Sequence, residues 1–317
     1  MRWKKTVFLF LLLLLTAEFY YFKVRPKSST PSFSSLSHDA AHVRVLPLEP
    51  KETIKRIVLK DHLKNTEISV KQVSDHVWKV ESPVQYPAES LVVEGLSSLL
   101  RLSPRSRQLS VKGSDQGLGF DKPDLEICVS TSKKSSQRCL LIGTQAAVVK
   151  GSYAKWKDES EYFLVNSNFL DAFDKTLYSL RKKQIFDLSG KEITEIQFRS
   201  EEKERFLKHQ GQNWVLLKPK EMNLSAHSAE ALTTLLSGLY VKEFLDQEPW
   251  TDPKFGLASS QKTIRIVFND QSEQTLIWGS EAPGFDAYYA LGPEGKTLLL
   301  VSRGKVSQAA DKFTSFS

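Results

Sequence analysis

Cys128 and Cys139 are the two cysteines of this 317-residue chain. Lys133-Lys134 falls midway between them, and the apolar runs Leu125 to Val129 and Cys139 to Ile142 flank that pair. This pattern predicts a hairpin with the lysines near its tip. In a symmetric hairpin the two cysteines sit directly opposite, with Cβ atoms roughly 4.5–5.5 Å apart. In an oxidising compartment that position favours a cross-strand disulfide, if the pair is a non-hydrogen-bonded one. A slipped register would leave two reduced, buried small hydrophobes. Two cysteines alone are too few ligands for zinc.

Tyr153-Ala154-Lys155 is a second group with chemical potential. A tyrosine and a lysine this close can serve proton transfer, but only with a bound cofactor or substrate to act on. No Gly-x-Gly-x-x-Gly pattern precedes them to hold a dinucleotide. Tyr288-Tyr289-Ala290 stands at a similar place later in the chain, followed by Leu291 where the first has Lys155. Tyr153, Lys155, Tyr288 and Tyr289 are therefore candidate ligand or partner contacts. Trp78 and Trp214 could be stacking platforms for a sugar or peptide. Their recurrence favours core anchors, each indole N–H bonded to a backbone carbonyl. Of the six histidines only His38 and His42 have helical ligand spacing, and they lie in a serine-rich stretch that would not orient them. There is no Gly-x-Ser-x-Gly elbow and no phosphate loop. No catalytic residue, metal or cofactor is assigned, and the expectation is a non-enzyme.

The elements that position these residues are written twice. Trp78 precedes Pro83 by five residues, and Trp214 precedes Pro219 by five. Leu118-Gly119-Phe120 answers to Phe255-Gly256-Leu257, Leu140 to Gly143 answers to Leu276 to Gly279, and Leu164-Val165 answers to Leu300-Val301. The offset is 136 or 137 residues throughout. A constant offset over this many landmarks predicts two copies of one folded unit. Each copy reads as three short strands, a helix, a hairpin, a further strand and a closing helix. In the first copy the helix carries Leu91, Val92, Leu96, Leu99 and Leu100. In the second, Ser225 is an N-cap for a helix carrying Leu232, Leu235, Leu236 and Leu239. Strands outnumber helices and connect by short turns. The predicted class is α+β, two tandem antiparallel sheets with helices packed on one face. The first domain is placed at 50–186 and the second at 187–317, with Lys182 to Lys191 joining them.

Ahead of the copies, Val7 to Ala17 is an uninterrupted apolar run, and Phe19 to Phe22 extends it past Glu18. As a helix, residues 7–22 rise ~24 Å. Trp3, Tyr20 and Tyr21 suit the interfaces, and Arg2, Lys4 and Lys5 place the N-terminus in the cytoplasm. A cleaved signal peptide is the rival, but a cut after Ala17 would put large Leu15 where a small residue belongs. Residues 1–23 therefore read as a signal anchor in the inner membrane, with the body periplasmic. Residues 24–49, rich in Ser and Pro, read as a tether.

Charged residues make up 26% and apolar residues 40%, with net charge +7, which is globular and mildly basic. No arginine-rich helix or aromatic-interleaved basic stripe points to nucleic acid.

The string formed by Trp78 to Ala88, Gly117 to Pro123, Leu140 to Gly143, Tyr153 to Lys155 and Leu180 to Phe186 resembles the bacterial domain-of-unknown-function family numbered 4340. The resemblance covers most of residues 50–317. Phe-Gly-Leu is intact only in the second copy and Tyr-Ala-Lys only in the first. Members resemble single-pass envelope proteins without assigned catalytic residues. Some are similar to auxiliary proteins of ABC-type export systems of the gliding-motility kind. The resemblance thus implies a transporter partner and carries over no active site. The leading expectation is a non-enzymatic envelope protein that binds or scaffolds such a partner. The alternatives are a cell-wall glycan or peptide binding module, resting on the tryptophans and tyrosines, and a carboxylate-dependent hydrolase with a pocket between the copies.

Overall fold

The computed structural model describes residues 43–316, apart from 106, 110–116, 135, 147–149, 202, 212 and 294. Residues 44–317 group as one compact unit. The expected anchor at residues 7–22, most of the tether, and His38 and His42 lie outside the described residues. Among those described, no helix is long and apolar enough to cross a membrane.

The first sheet contains β1 (Ile54–Asp61), β2 (Thr66–Ser74), β3 (Val77–Ser82), β4 (Tyr86–Pro87), β5 (Arg107–Leu109), β6 (Leu125–Thr131), β7 (Arg138–Gln145), β8 (Gly151–Trp156) and β9 (Tyr162–Asn166). The second contains β10 (Ile193–Ser200), β11 (Lys203–Gln210), β12 (Asn213–Lys218), β13 (Met222–Leu224), β14 (Val241–Phe244), β15 (Thr263–Phe268), β16 (Glu273–Glu281), β17 (Ala287–Leu291) and β18 (Leu298–Ser302). The strand orders are β4-β3-β2-β1-β6-β7-β8-β9-β5 and β13-β12-β11-β10-β15-β16-β17-β18-β14. These are the same order, strand for strand. The fold is mostly β with few helices.

One helix in each half explains the crossover. After β4 at one edge, α1 (Ser90–Leu102) carries the chain over the sheet to β5 at the opposite edge. The remaining helices of the first half are α2 (Ser167–Phe173) and α3 (Leu177–Leu180). In the second half α4 (Ala226–Ser237) makes the same crossing from β13 to β14, and α5 (Arg303–Thr314) closes the chain. Ser225 does cap α4, accepting from the Ser228 N–H. Because strand residues alternate faces, one face of each sheet is apolar and takes the helices. Ile57, Leu59, Ile127, Val129, Leu140, Ile142, Ala154 and Trp156 form the first core with Val93, Leu96 and Leu100 of α1 and Phe169 and Phe173 of α2. The second core has Ile196, Phe198, Ile264, Ile266, Leu276 and Trp278 under Leu232 and Leu236 of α4 and Val306 and Phe313 of α5.

The tether expected over 24–49 ends earlier, because Val45 and Leu46 are buried in the first core. Their amides bond the Ser103 and Leu100 carbonyls at the end of α1, and Trp156 Nε1 donates to the Val45 carbonyl at 3.0 Å. The body therefore begins at Arg44.

The opposite face of each sheet carries a smaller apolar cluster, again in matching positions. Leu118, Phe120, Leu141, Tyr153 and Tyr162 form it in the first half. Phe255, Leu257, Ile277, Tyr289 and Leu298 occur in it in the second. A glycine fixes each one. A Cβ on Gly143 would lie 2.0 Å from the Leu118 carbonyl oxygen, and one on Gly279 would lie 2.1 Å from that of Phe255. Only a residue without a side chain lets the covering loop approach so closely.

Candidate functional site

The segment Leu180 to Phe186 crosses from one core to the other, and each of its side chains has a separate task. Leu180 is fully buried in the first core, while Ile185 and Phe186 are buried in the second. The crossing therefore occurs at 181–184, ahead of the boundary after 186 read from the sequence. Its backbone pairs on both sides. Ala88 bridges Arg181, and the Lys182 amide bonds the Pro87 carbonyl. Beyond it, Gln184 bridges Tyr240, and the Val241 amide bonds the Lys183 carbonyl. Edge strand β4 of one sheet and edge strand β14 of the other are thus stitched together by one short strap, which leaves neither edge open there.

Arg181 is the centre of this joint. Its side chain is 1% exposed. The guanidinium carbon lies 4.3 Å from the ring centre of Tyr86 on β4 and 3.6 Å from that of Phe244 on β14. The two rings meet edge to face with centroids 5.1 Å apart. Nη1 donates to Asp246 Oδ2 at 2.6 Å, while Nε and Nη2 are buried with no hydrogen-bond partner among the described residues. A planar cation suits this place because it stacks on two aromatic faces and is more weakly hydrated than an ammonium. Tyr178 completes the cluster, 5.9 Å from Phe244, with its hydroxyl donating to the Val241 carbonyl.

The two lysines beside Arg181 act locally. Lys183 Nζ donates to the carbonyls of Tyr178, Ser179 and Arg181, closing the end of α3. Burial pushes its ammonium below the ordinary lysine value, against the pull of Glu89. Lys182 donates to Asp187. Burial works to raise the Asp187 carboxyl, and hydrogen bonds from Lys182 and Ser189 overcome it, holding the group below the ordinary carboxylate range.

A pocket of about 260 Å³ opens at the joint, lined by Tyr86 and Pro87 from the first half, Lys182, Gln184 and Asp187 from the strap, and Ser272 to Gln274 from the second half among others. It lies where the hydrolase alternative needs a pocket, between the copies, and it holds two acids, Asp187 and Glu273. Both are already committed: Asp187 to Lys182, and Glu273 to Arg265. Asp187, held ionised by Lys182 and Ser189, is poorly suited to give up a proton as a general acid. These pairs give the pocket a charged rim.

The residues singled out in the sequence are distributed, not gathered. Cys128 and Cys139 are directly opposite on β6 and β7, with Cα atoms 4.0 Å apart and their sulfurs bonded to each other. Glu126 lies beside them, and His62 Nε2 is 3.7 Å from its carboxylate. Tyr153 and Lys155 share the non-helical face of β8, where Lys155 Nζ is 5.6 Å from the Phe120 ring and 5.4 Å from the Tyr162 ring. In the second half these positions are Tyr289 and Leu291, and the cluster is wholly aromatic and aliphatic. Tyr289 packs edge to face on Phe255, while neighbouring Tyr288 packs against the second core on the other face. The four candidate contact residues therefore occupy two sheets and both faces of β17.

The tryptophans differ from each other. Trp78 is 2% exposed, but its indole N–H is buried without a partner among the described residues, contrary to the carbonyl bond expected for it. Trp214 is only half-buried at the margin of the second core. Sequence reasoning singled out the string at Leu180 to Phe186 but gave Arg181 no task. The signal present was an arginine heading the basic run Arg181-Lys182-Lys183, directly after apolar Leu180, at the junction between the two copies.

No curated protein and no solved structure matches the chain. The family model described as Domain of unknown function (DUF4340) matches residues 78–254, more than half of the 317 residues. The match is a single stretch that starts on β3, runs through the whole joint and ends within the 3-10 turn Pro253–Phe255. That stretch takes in parts of both sheets. The chain belongs to the DUF4340 family.

Proposed function

We propose that this protein is a membrane-anchored extracytoplasmic scaffold whose two sheets present one rigid surface to a partner, an ABC-type export complex of the envelope. The observation that carries this reading is the Arg181 joint. A buried guanidinium clasped between two sheet edges fixes their relative position, which suits a protein whose task is to hold a partner in register. The Cys128–Cys139 disulfide supports an oxidising location. The leucine-rich run at residues 7–22 supports attachment to the inner membrane, with the N-terminus cytoplasmic. The charged pairs that line the joint pocket give no group poised for catalysis, so the reading is a non-enzyme.

The test is affinity purification of the full-length protein from native membranes after mild crosslinking, followed by mass spectrometry. Recovery of an ABC permease or its auxiliary subunits is the expected result. A free, monodisperse monomer under the same conditions would overturn the reading. Labelling of intact cells with a membrane-impermeant maleimide, before and after an impermeant reductant, tests the compartment independently. Cys139, the more exposed of the two, should label only after reduction and without cell lysis.

A further inference from the structure

The second sheet leaves its tryptophan half-buried where the first buries its own. His209, Trp214 and Leu224 lie side by side across β11, β12 and β13, with His209 paired to Trp214 and Trp214 to Leu224. Ala226, Ala229, Glu230 and Thr233 of α4 stand opposite, at spacings that put them on one face of the helix. With Asn213 they line an open pocket of about 360 Å³. That volume is within the range of small-molecule sites. Half-buried Trp214 is part of its lining, and the His209 ring centre lies 5.1 Å from that of the indole, tilted by 36°.

The equivalent place in the first sheet has Gln72, the cross-strand partner of Trp78, where the second has His209, Val77 where it has Asn213, and Ser97 where it has Thr233. Glu94 corresponds to Glu230. There His76, on the β2–β3 turn, reaches Glu94 at 2.7 Å, and Trp78 is 2% exposed. One polar group, Asn213, thus stands beside the tryptophan only where the tryptophan is the less buried of the two, and a histidine replaces a glutamine across the strand from it. A packing role alone gives no reason for that coincidence.

We propose that this pocket binds a pyranose ring of a glycan, stacked on the Trp214 indole. A sugar presents a flat patch of C–H groups on one face and hydroxyls around its rim. The indole offers a broad apolar plane for the former. The rim supplies both kinds of hydrogen-bonding group that a hydroxyl needs. The Asn213 amide donates and accepts, and the Glu230 carboxylate accepts. The Thr233 hydroxyl donates to the Glu230 carbonyl at 2.9 Å and so offers its lone pairs. His209 Nδ1 faces Glu192 at 3.5 Å, which leaves Nε2 for the ligand. An organic cation fits less well. The pocket offers it one indole, and the second ring is an imidazole that itself becomes positive on protonation. The inference is independent of the partner proposed above, since it concerns one pocket of the second half.

The experiment is saturation-transfer NMR on the full-length protein in detergent, with β-1,4-linked N-acetylglucosamine tetramer, cellotetraose and choline as separate probes. Transfer to the ring protons of at least one oligosaccharide is expected, with none to choline. Asn213→Ala and Glu230→Gln alter exposed groups and should leave the fold intact. Each should weaken oligosaccharide binding about tenfold. Trp214→Phe, which keeps an aromatic ring in the core margin, should weaken it further. Failure of both oligosaccharides to bind, binding of choline in their place, or binding unchanged in both Asn213→Ala and Glu230→Gln would each overturn the proposal.

Discussion

Arg181 shows how one side chain can decide the relation of two sheets. Its charge is desolvated, and the compensation is one ion pair to Asp246 and two aromatic faces. Removing one partner of a buried pair costs more than the pair contributes, because the other charge is stranded. Asp246 is 23% exposed and can regain water, so the cost falls at the low end. Arg181→Ala should destabilise the protein by about 3 kcal/mol. Arg181→Met, which refills the space between the rings, should cost about half as much. Denaturant melts of both variants check this; equal losses would mean that the cavity is irrelevant and only the charge matters. The glycines give a second contrast at this scale. Gly143→Ala and Gly279→Ala drive a methyl into a carbonyl oxygen and should each cost about 2 kcal/mol. Gly95, on the exposed face of α1, has nothing within 4 Å of its built Cβ, so Gly95→Ala should stabilise by about 1 kcal/mol.

At the level of elements, the β6–β7 hairpin carries the disulfide, and its closed loop of 11 residues in sequence separation restricts the unfolded chain. Replacing both cysteines by alanine should lower stability by about 2–3 kcal/mol in denaturant, and reductant should then have no further effect on the variant. The strap between the sheets carries a pH dependence. Asp187 is held below its ordinary value when folded. Its contribution is therefore complete above the ordinary carboxylate range, ~4, and is lost as pH falls through the lower folded value. Asp187→Asn should be less stable than the parent at neutral pH and should lose less on acidification, read as urea midpoints against pH. How much of this could be seen in the sequence depends on the range of the forces involved. The hairpin was legible, because Cys128, the lysine pair and Cys139 lie within one local motif. So were the α1 and α4 helices, the Trp strands, and the glycine landmarks that turn out to hold the covering loops. The joint was not, because Tyr86, Arg181, Phe244 and Asp246 come from positions up to 160 residues apart. No periodicity records such a meeting. The difference between Trp78 and Trp214 was hidden for the same reason, since burial depends on which residues surround each tryptophan on the neighbouring strands and helix.

For the whole molecule, the question is whether two cores behave as one. Each sheet has its own apolar centre, large enough to fold as an ordinary domain. Yet residues 44–317 group as a single compact unit, and the strap runs from Leu180 in one core to Ile185 in the other with backbone bonds to both sheets. If the joint couples them, unfolding one half strips the Arg181 guanidinium of an aromatic face or of its acid, and the other half loses that stabilisation too. The parent protein should then melt in a single calorimetric transition whose measured and van't Hoff enthalpies agree. Arg181→Ala should uncouple the halves and give two transitions. The disulfide supplies an internal label for their assignment, because only the first half contains it. Reductant added to Arg181→Ala should lower one transition and leave the other in place, whereas in the parent it should shift the single transition as a whole. Two separated transitions in the parent would show that the joint aligns the sheets without linking their stability, and a rigid two-sheet scaffold would lose its main physical support.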